Sequence, residues 1–161
     1  MISFTKVKLP YGWLSNMSPH PVEYKGKRYR TTEALFQCMR FEGYPEVQEI
    51  IMAQKSPMGA KMKAKKYRRE LGLKVNMGDA ADLERMIICL RLKLNQHFKL
   101  KEMLMLTGDS IIIEDSSKRP NESGLLWGAA LIDGEWVGKN VLGKLWMDLR
   151  EELREEMKKA A

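Results

Sequence analysis

Glu33, Gln37 and Arg40 are spaced i, i+4, i+7 in the segment Glu33-Ala34-Leu35-Phe36-Gln37-Cys38-Met39-Arg40. On a helix this spacing gathers them on one stripe. A carboxylate there can move a proton, an amide can orient a polar group, and a guanidinium can hold an anion. The remaining side chains, Ala34, Leu35, Phe36, Cys38, Met39 and Phe41, are apolar. Such a helix should be mostly buried, with its polar stripe turned to solvent or to a cleft. Two readings follow. Either the stripe is an ordinary solvent face on which Glu33 complements the helix dipole, or Glu33 is a cleft carboxylate acting as general acid or base.

Tyr11, Trp13 and Trp127 are large aromatics beside glycines in loop-like sequence. A flat ring in such a place can stack on a base, or it can cap the core. Gly128 and Gly138 would let backbone approach a ligand closely. Asn16 and Asn140 can bond sugar hydroxyls or phosphate, and are equally suited to turns. Glu114 and Asp115 follow Ile111-Ile112-Ile113, where acids at a strand end serve either a site or solvation.

The formal net charge of +7 is concentrated. Lys55 to Lys74 contains eight of the 28 basic residues and one of the 21 acids, Glu70, so the rest of the chain is balanced. Such a stretch attracts phosphate on a nucleotide or along a nucleic acid. It can also be a solvated helix face. Cys38 and Cys89 lie among apolar residues and read as two reduced, buried thiols. His20 and His97 are far apart and lack ligand-like neighbours, so no metal site is expected. No cofactor is expected either.

These residues need elements to hold them. The 161 residues suit one domain, 1–161. Val22 to Tyr29 reads as a hairpin with Gly26 near its turn. Thr31 or Thr32 caps a helix to about Glu42, stopped by Gly43. Pro45 opens a second helix to about Lys55. Ser56-Pro57 opens a third, which carries the basic run and offers free amides at its start. Asp79 caps a long helix to about Phe98, with Leu83, Ile87, Leu90 and Leu94 on its apolar stripe. Leu100 to Leu106 is helical, ended by Gly108. Ile111 to Ile113 is a strand, Asp115 to Gly124 a long loop, and Leu125 to Val137 holds a short hairpin. A last helix from about Asn140 has Leu142, Leu145, Trp146, Leu149, Leu153 and Met157 on one face, with Arg150, Glu151, Glu152 and Arg154 opposite. The expected class is α+β: mainly helical, with a small β element. No apolar run approaches the ~18–20 residues of a membrane span. The N-terminus lacks a secretory stretch. A cytoplasmic protein without a membrane partner is expected.

Several segments resemble the NADAR (YbiA-like) family. They are Tyr11-Gly12-Trp13-Leu14-Ser15-Asn16-Met17-Ser18-Pro19, Tyr29-Arg30-Thr31-Thr32-Glu33-Ala34-Leu35-Phe36-Gln37, Ser56-Pro57-Met58-Gly59-Ala60-Lys61, Trp127-Gly128 and Val137-Gly138-Lys139-Asn140-Val141-Leu142-Gly143. They span nearly the whole chain in the family's order. The resemblance implies a mainly helical α+β fold and an N-glycosidase. It implies as substrate either a phosphorylated ribosylamino intermediate of riboflavin synthesis or ADP-ribose attached to a base. The family's motif glutamate falls on Glu33, and its Trp-Gly on Trp127-Gly128. Two positions depart. Arg40 stands where better-known members tend to have lysine, and an arginine cannot serve as a Schiff-base nucleophile. Gly124 stands where some members have an aspartate, leaving Glu114, Asp115 or Glu122 as a second acid.

The expected mechanism makes Glu33 the catalytic carboxylate, serving the attacking water or the charge that develops on the sugar. Tyr11, Trp13, Ser15, Asn16, Gln37, Arg40, Lys61, Lys65, Trp127, Gly128 and Asn140 are the expected substrate contacts. The expected ligand is an ADP-ribose-like or ribosyl phosphate compound, free or on a modified nucleic acid. The alternatives are a nucleic-acid-binding module and a non-catalytic ADP-ribose or NAD sensor.

Overall fold

The computed structural model describes all residues, Met1–Ala161. The chain forms two compact units, Asn16–Gln96 and the pair of segments Met1–Ser15 with His97–Ala161.

The middle unit opens with strands β2 (Val22–Tyr24) and β3 (Lys27–Tyr29), an antiparallel hairpin pairing Val22 with Tyr29. Lys25 and Gly26 both take positive φ at its turn, as a tight two-residue hairpin requires. Four helices follow: α1 (Thr32–Met39), α2 (Pro45–Met52), α3 (Pro57–Leu71) and α4 (Ala80–Gln96). Their starts are written in the sequence. The Thr31 hydroxyl accepts from the Ala34 amide, and the Ser56 hydroxyl from the Gly59 amide. Pro45 and Pro57 open α2 and α3. Gly72, with a φ of 62°, closes α3 in the left-handed region. Helix α1 is the centre of this unit and packs against α2, α3 and α4. Leu35, Phe36, Phe41, Ile51, Ala60, Ala64, Cys89 and Leu90 form the core around it.

The buried stripe of α4 is turned from the expected one. Leu83 and Ile87 are only half-buried, while Asp82, Met86, Cys89, Leu90, Lys93 and Leu94 face inward. Two charged residues can occupy that face because each finds a polar partner. Asp82 meets Arg40, and the Lys93 ammonium donates to the Ser18 hydroxyl at 2.7 Å. Burial lowers the Lys93 pKa from 10.5 to about 7. Between those values the unfolded chain holds a proton that the folded chain has released, so stability contributed at this site rises with pH. Unfolding free energies from urea titrations at pH 7 and pH 9.5 should therefore rise for the native chain relative to Lys93→Met, by up to ~1.4 kcal/mol per pH unit. Equal slopes would mean that the buried amine stays charged.

The other unit joins β1 (Ile2–Phe4) in parallel to β4 (Ile112–Glu114), with Ile2 opposite Ile112. A single 3-10 turn covers Gly12–Leu14. Helix α5 (Phe98–Leu106) precedes β4, and β5 (Ala130–Ile132) pairs with β6 (Glu135–Val137). Helix α7 (Val141–Ala160) packs on β4 and α5. Three details differ from the sequence expectation. Glu122–Trp127 is a short helix, α6, not loop and strand; Asn121 caps it by accepting from the Gly124 amide at 2.8 Å. Arg150 is buried on α7, not opposite its apolar face. Its Nη1 donates to the Thr107 hydroxyl and the Ser110 carbonyl. Met157, expected on the apolar face, is 60% exposed.

The architecture is the expected α+β class, seven α-helices with three two-stranded sheets. No helix is long and apolar enough to cross a membrane.

Candidate active site

The first turn of α1 is fixed from two sides. Its N-cap comes from Thr31, and the Asn16 carbonyl accepts from the Glu33 amide at 3.1 Å. The Asn16 side chain is itself committed: Oδ1 accepts from the Thr32 hydroxyl at 2.8 Å, and Nδ2 donates to the Met86 sulfur at 3.1 Å. Asn16 thus sets where α1 begins.

The polar stripe of α1 is not a solvent face. Glu33, Gln37 and Arg40 are 7%, 3% and 8% exposed. Burying such groups is costly unless they are bonded, and each has a side-chain partner. Gln37 Nε2 donates to Glu33 Oε1 at 2.9 Å. Gln37 Oε1 accepts from Arg68 Nη1, on α3, at 3.1 Å. Glu33 Oε2 accepts no hydrogen bond within the protein and is not sealed from solvent. The carboxylate therefore has one anchored oxygen and one oxygen left to act.

One turn further along α1, Arg40 Nε and Nη2 donate to Asp82 Oδ1 and Oδ2 at 2.9 and 2.7 Å. Such a bidentate grip occupies the fork that would otherwise hold a phosphate. Arg40 is thus a clamp between α1 and α4, and we do not count it among the substrate contacts. Cys38 and Cys89 are free thiols, both buried. Burial pushes the Cys38 thiol up to about 12 and Cys89 well above its usual range, so neither is a ready nucleophile.

Lys61 and Lys65 lie on α3 at i−7 and i−3 from Arg68, on the same flank. Of the basic run, only Lys66 reaches a carboxylate, Glu70 at 3.9 Å. The cations at Lys61 and Lys65 remain open to an incoming anion.

The other candidates belong to the other unit. Tyr11 is 40% exposed, whereas Trp13 is 7% exposed and meets Trp146 edge-on at 6.3 Å. The Trp13 ring is thus largely spent on the core. Ser15 is buried just after the 3-10 turn, and Trp127 is half-buried at the end of α6. A Cβ on Gly128 would stand 2.5 Å from the Glu114 carbonyl oxygen, and one on Gly138 2.6 Å from the Gly128 carbonyl oxygen. These glycines admit the chain's own backbone. Asn140 Oδ1 accepts from the Glu114 amide, and its Nδ2 donates to the Ile112 carbonyl, at 3.0 and 2.9 Å. With both ends of its amide holding β4, Asn140 is not counted as a substrate contact. Among the suggested second acids, Asp115 accepts from Ser117, Glu114 is half-buried and Glu122 is exposed in the first turn of α6. Nowhere does the chain gather three or more His, Cys, Asp or Glu side chains able to hold a metal.

Sequence reasoning missed Arg68 and Asp82. Arg68 stands eight and four residues after the buried Ala60 and Ala64, so helical spacing marks it as inward-facing. Asp82 precedes Met86 and Cys89 at i+4 and i+7, the same signal. Both were obscured because charge suggests exposure.

A carboxylate fixed by an amide–guanidinium relay, with unpaired lysines on the neighbouring helix, has the character of an acid–base hydrolase. The chain belongs to the NADAR family, whose domain matches residues 3–154. It is 31% identical over 160 residues to N-glycosidase Npun_R5314 of Nostoc punctiforme, covering 95% of this chain and 92% of that protein. It is 32% identical over 155 residues to N-glycosidase YbiA of Escherichia coli, covering 95% and 88%. The NMR structure of E. coli YbiA superposes with a TM-score of 0.76 at 30% identity, covering 97% of this chain and 86% of that one. A match at 28% identity covers 95% of this chain but only 25% of the maize chloroplastic riboflavin biosynthesis protein PYRR. The general activity is accordingly that of an N-glycosidase, a hydrolase of N-glycosyl compounds.

Proposed function

We propose that the protein hydrolyses the N-glycosidic bond of a phosphate-bearing ribosyl compound, with Glu33 as the catalytic carboxylate. The observation that carries this reading is the asymmetry of Glu33: Oε1 held by Gln37, Oε2 unbonded and open to solvent. In the proposed step Oε2 takes a proton from water as the water oxygen bonds to the anomeric carbon. The C–N bond breaks and its electron pair leaves with the base nitrogen, which takes a proton from solvent water while Glu33 returns its own proton to solvent, restoring the carboxylate. Positive charge grows on the sugar in the transition state, and a nearby carboxylate stabilises it.

The phosphate would lie along α3. Lys65 and Lys61 are ~4.5 Å and ~10 Å from Arg68 along the helix axis at 1.5 Å rise per residue. Lys65 is the nearer grip for a ribose phosphate, and Lys61 for a second phosphate. Lys65→Ala should raise KM for a phosphorylated ribosyl substrate about tenfold with little change in kcat, the loss of one charge-assisted contact. Steady-state kinetics check this. An unchanged KM in both Lys65→Ala and Lys61→Ala would place the phosphate elsewhere.

Relatives named as riboflavin biosynthesis proteins favour a phosphorylated ribosylamino intermediate of that route. ADP-ribose attached to a base is the other candidate. A product assay by mass spectrometry should offer a 5-phosphoribosylaminopyrimidine, an ADP-ribosylated guanine nucleic acid and free NAD side by side. Release of the base from one of the first two supports the reading. Binding without turnover of any would make the protein a sensor.

The unpaired cations of α3 favour a second reading, docking of a nucleic acid. It predicts steeply salt-dependent binding to random-sequence strands. Salt-independent or absent binding removes it.

A further inference from the structure

We infer that Arg68 is a positioning residue for the N-glycosidase reaction, acting on Glu33 through Gln37; the inference rests on the proposed role of Glu33. A glutamine amide beside a carboxylate can turn either way, and only one way donates to it. Arg68 removes the choice. A guanidinium is purely a donor and an ionised carboxylate purely an acceptor. With Arg68 Nη1 on its oxygen and Glu33 Oε1 on its nitrogen, at 3.1 and 2.9 Å, the Gln37 amide has one satisfied orientation. Gln37 is 3% exposed, so water cannot readily replace either partner. The anchored Oε1 then fixes the carboxylate plane and leaves Oε2 as the free oxygen.

Nothing in the packing of α3 calls for this arginine. Ala60 and Ala64 supply the helix's buried face, and small residues there let α1 and α3 approach closely. The placement has costs. Burial lowers the Arg68 pKa, and the Arg40 charge lowers it further, against smaller support from Asp82 and Glu33. Among the eight cations of the run, Arg68 is the one bonded to the Glu33 stripe. A cation held there against desolvation and a like charge is explained by what it bonds.

The test compares Arg68→Met, Arg68→Lys, Gln37→Met and Glu33→Gln on a 5-phosphoribosylaminopyrimidine and on ADP-ribosylated guanine, using whichever the native protein cleaves. Expected for Arg68→Met is a ten- to hundredfold fall in kcat with KM within about threefold, the scale of a misplaced catalytic group. Arg68→Lys, which keeps a cationic donor, should recover most of the rate. Arg68→Met with Gln37→Met should be no worse than Gln37→Met alone, because both break one relay. Should Arg68→Met fail to fold, Gln37→Met carries the test, and full kcat there overturns the inference. An unchanged kcat in Arg68→Met also overturns it. So does a rise confined to KM, which would make Arg68 a phosphate contact. Full activity in Glu33→Gln would instead sink the role of Glu33, and the inference with it.

Discussion

Glu33→Gln should lower kcat by ~10³-fold, the scale lost with a general base, and leave the fold in place. The substitution is nearly isosteric. The new side chain can turn its carbonyl oxygen to Gln37 Nε2, keeping the 2.9 Å contact that now holds Oε1. Its NH2 group would then stand where Oε2 is. An amide nitrogen cannot accept a proton from water, and a neutral group cannot balance charge growing on the sugar. Asn16 grips the Glu33 main chain, not its side chain, so α1 should still start at the same place. The thermal midpoint should move by only a few degrees. Glu33→Asp should fall between, losing ~100-fold because the carboxylate is one methylene short of its station. Rates from single turnover, with melting curves beside them, decide the matter. A Glu33→Gln protein that melts normally and turns over at the native rate would end the proposal.

The elements around Glu33 were legible because local chemistry decides them. Thr31, Ser56-Pro57 and the turn at Gly26 each set a boundary through their own capping or backbone preferences. The exception, α6, is only six residues long with no apolar stripe, so periodicity had nothing to detect. The stripe Glu33–Gln37–Arg40 was legible as a stripe but not as a buried one. Its burial depends on Arg68 and Asp82, which lie 31 and 42 residues from their partners Gln37 and Arg40. Spacing can mark Arg68 and Asp82 as inward-facing, but it does not say which distant residue each one pairs with. For the same reason Arg40 and Asn140 looked available for ligands until their partners were in view. Asn140 is the plainer case: a left-handed asparagine at a helix start is a turn residue in sequence, and only β4 shows what its amide does.

Asp82→Ala should be the most destabilising single change in the chain, costing ~3–5 kcal/mol, as expected when one partner of a buried pair is removed. Asp82 is fully buried, and its two oxygens take four donors. Arg40 Nε and Arg85 Nη1 reach Oδ1, while Arg40 Nη2 and the Gly78 amide reach Oδ2. Burial alone would raise this carboxyl's pKa. The Arg40 hydrogen bond, the Gly78 amide, the Arg40 charge and Arg85 outweigh it and hold the carboxyl below its ordinary value. Truncation to alanine strands the Arg40 guanidinium, 8% exposed, with neither water nor an acid. At ~2–4 °C per kcal/mol for a chain of this size, the midpoint should fall by ~6–20 °C. Arg40→Met combined with Asp82→Leu should recover part of the loss, since an apolar pair leaves no stranded charge. The sign with pH follows from the depressed carboxyl. In the native protein its contribution is complete above the unfolded value of ~3.9 and disappears as pH falls through the folded one. The gap between native and Asp82→Ala midpoints should therefore be widest near neutrality and close progressively below about pH 4. A gap that stays constant with pH, or a loss under ~1 kcal/mol at pH 7, would show that Arg40 finds another partner and that α1 is not clamped to α4 by this pair.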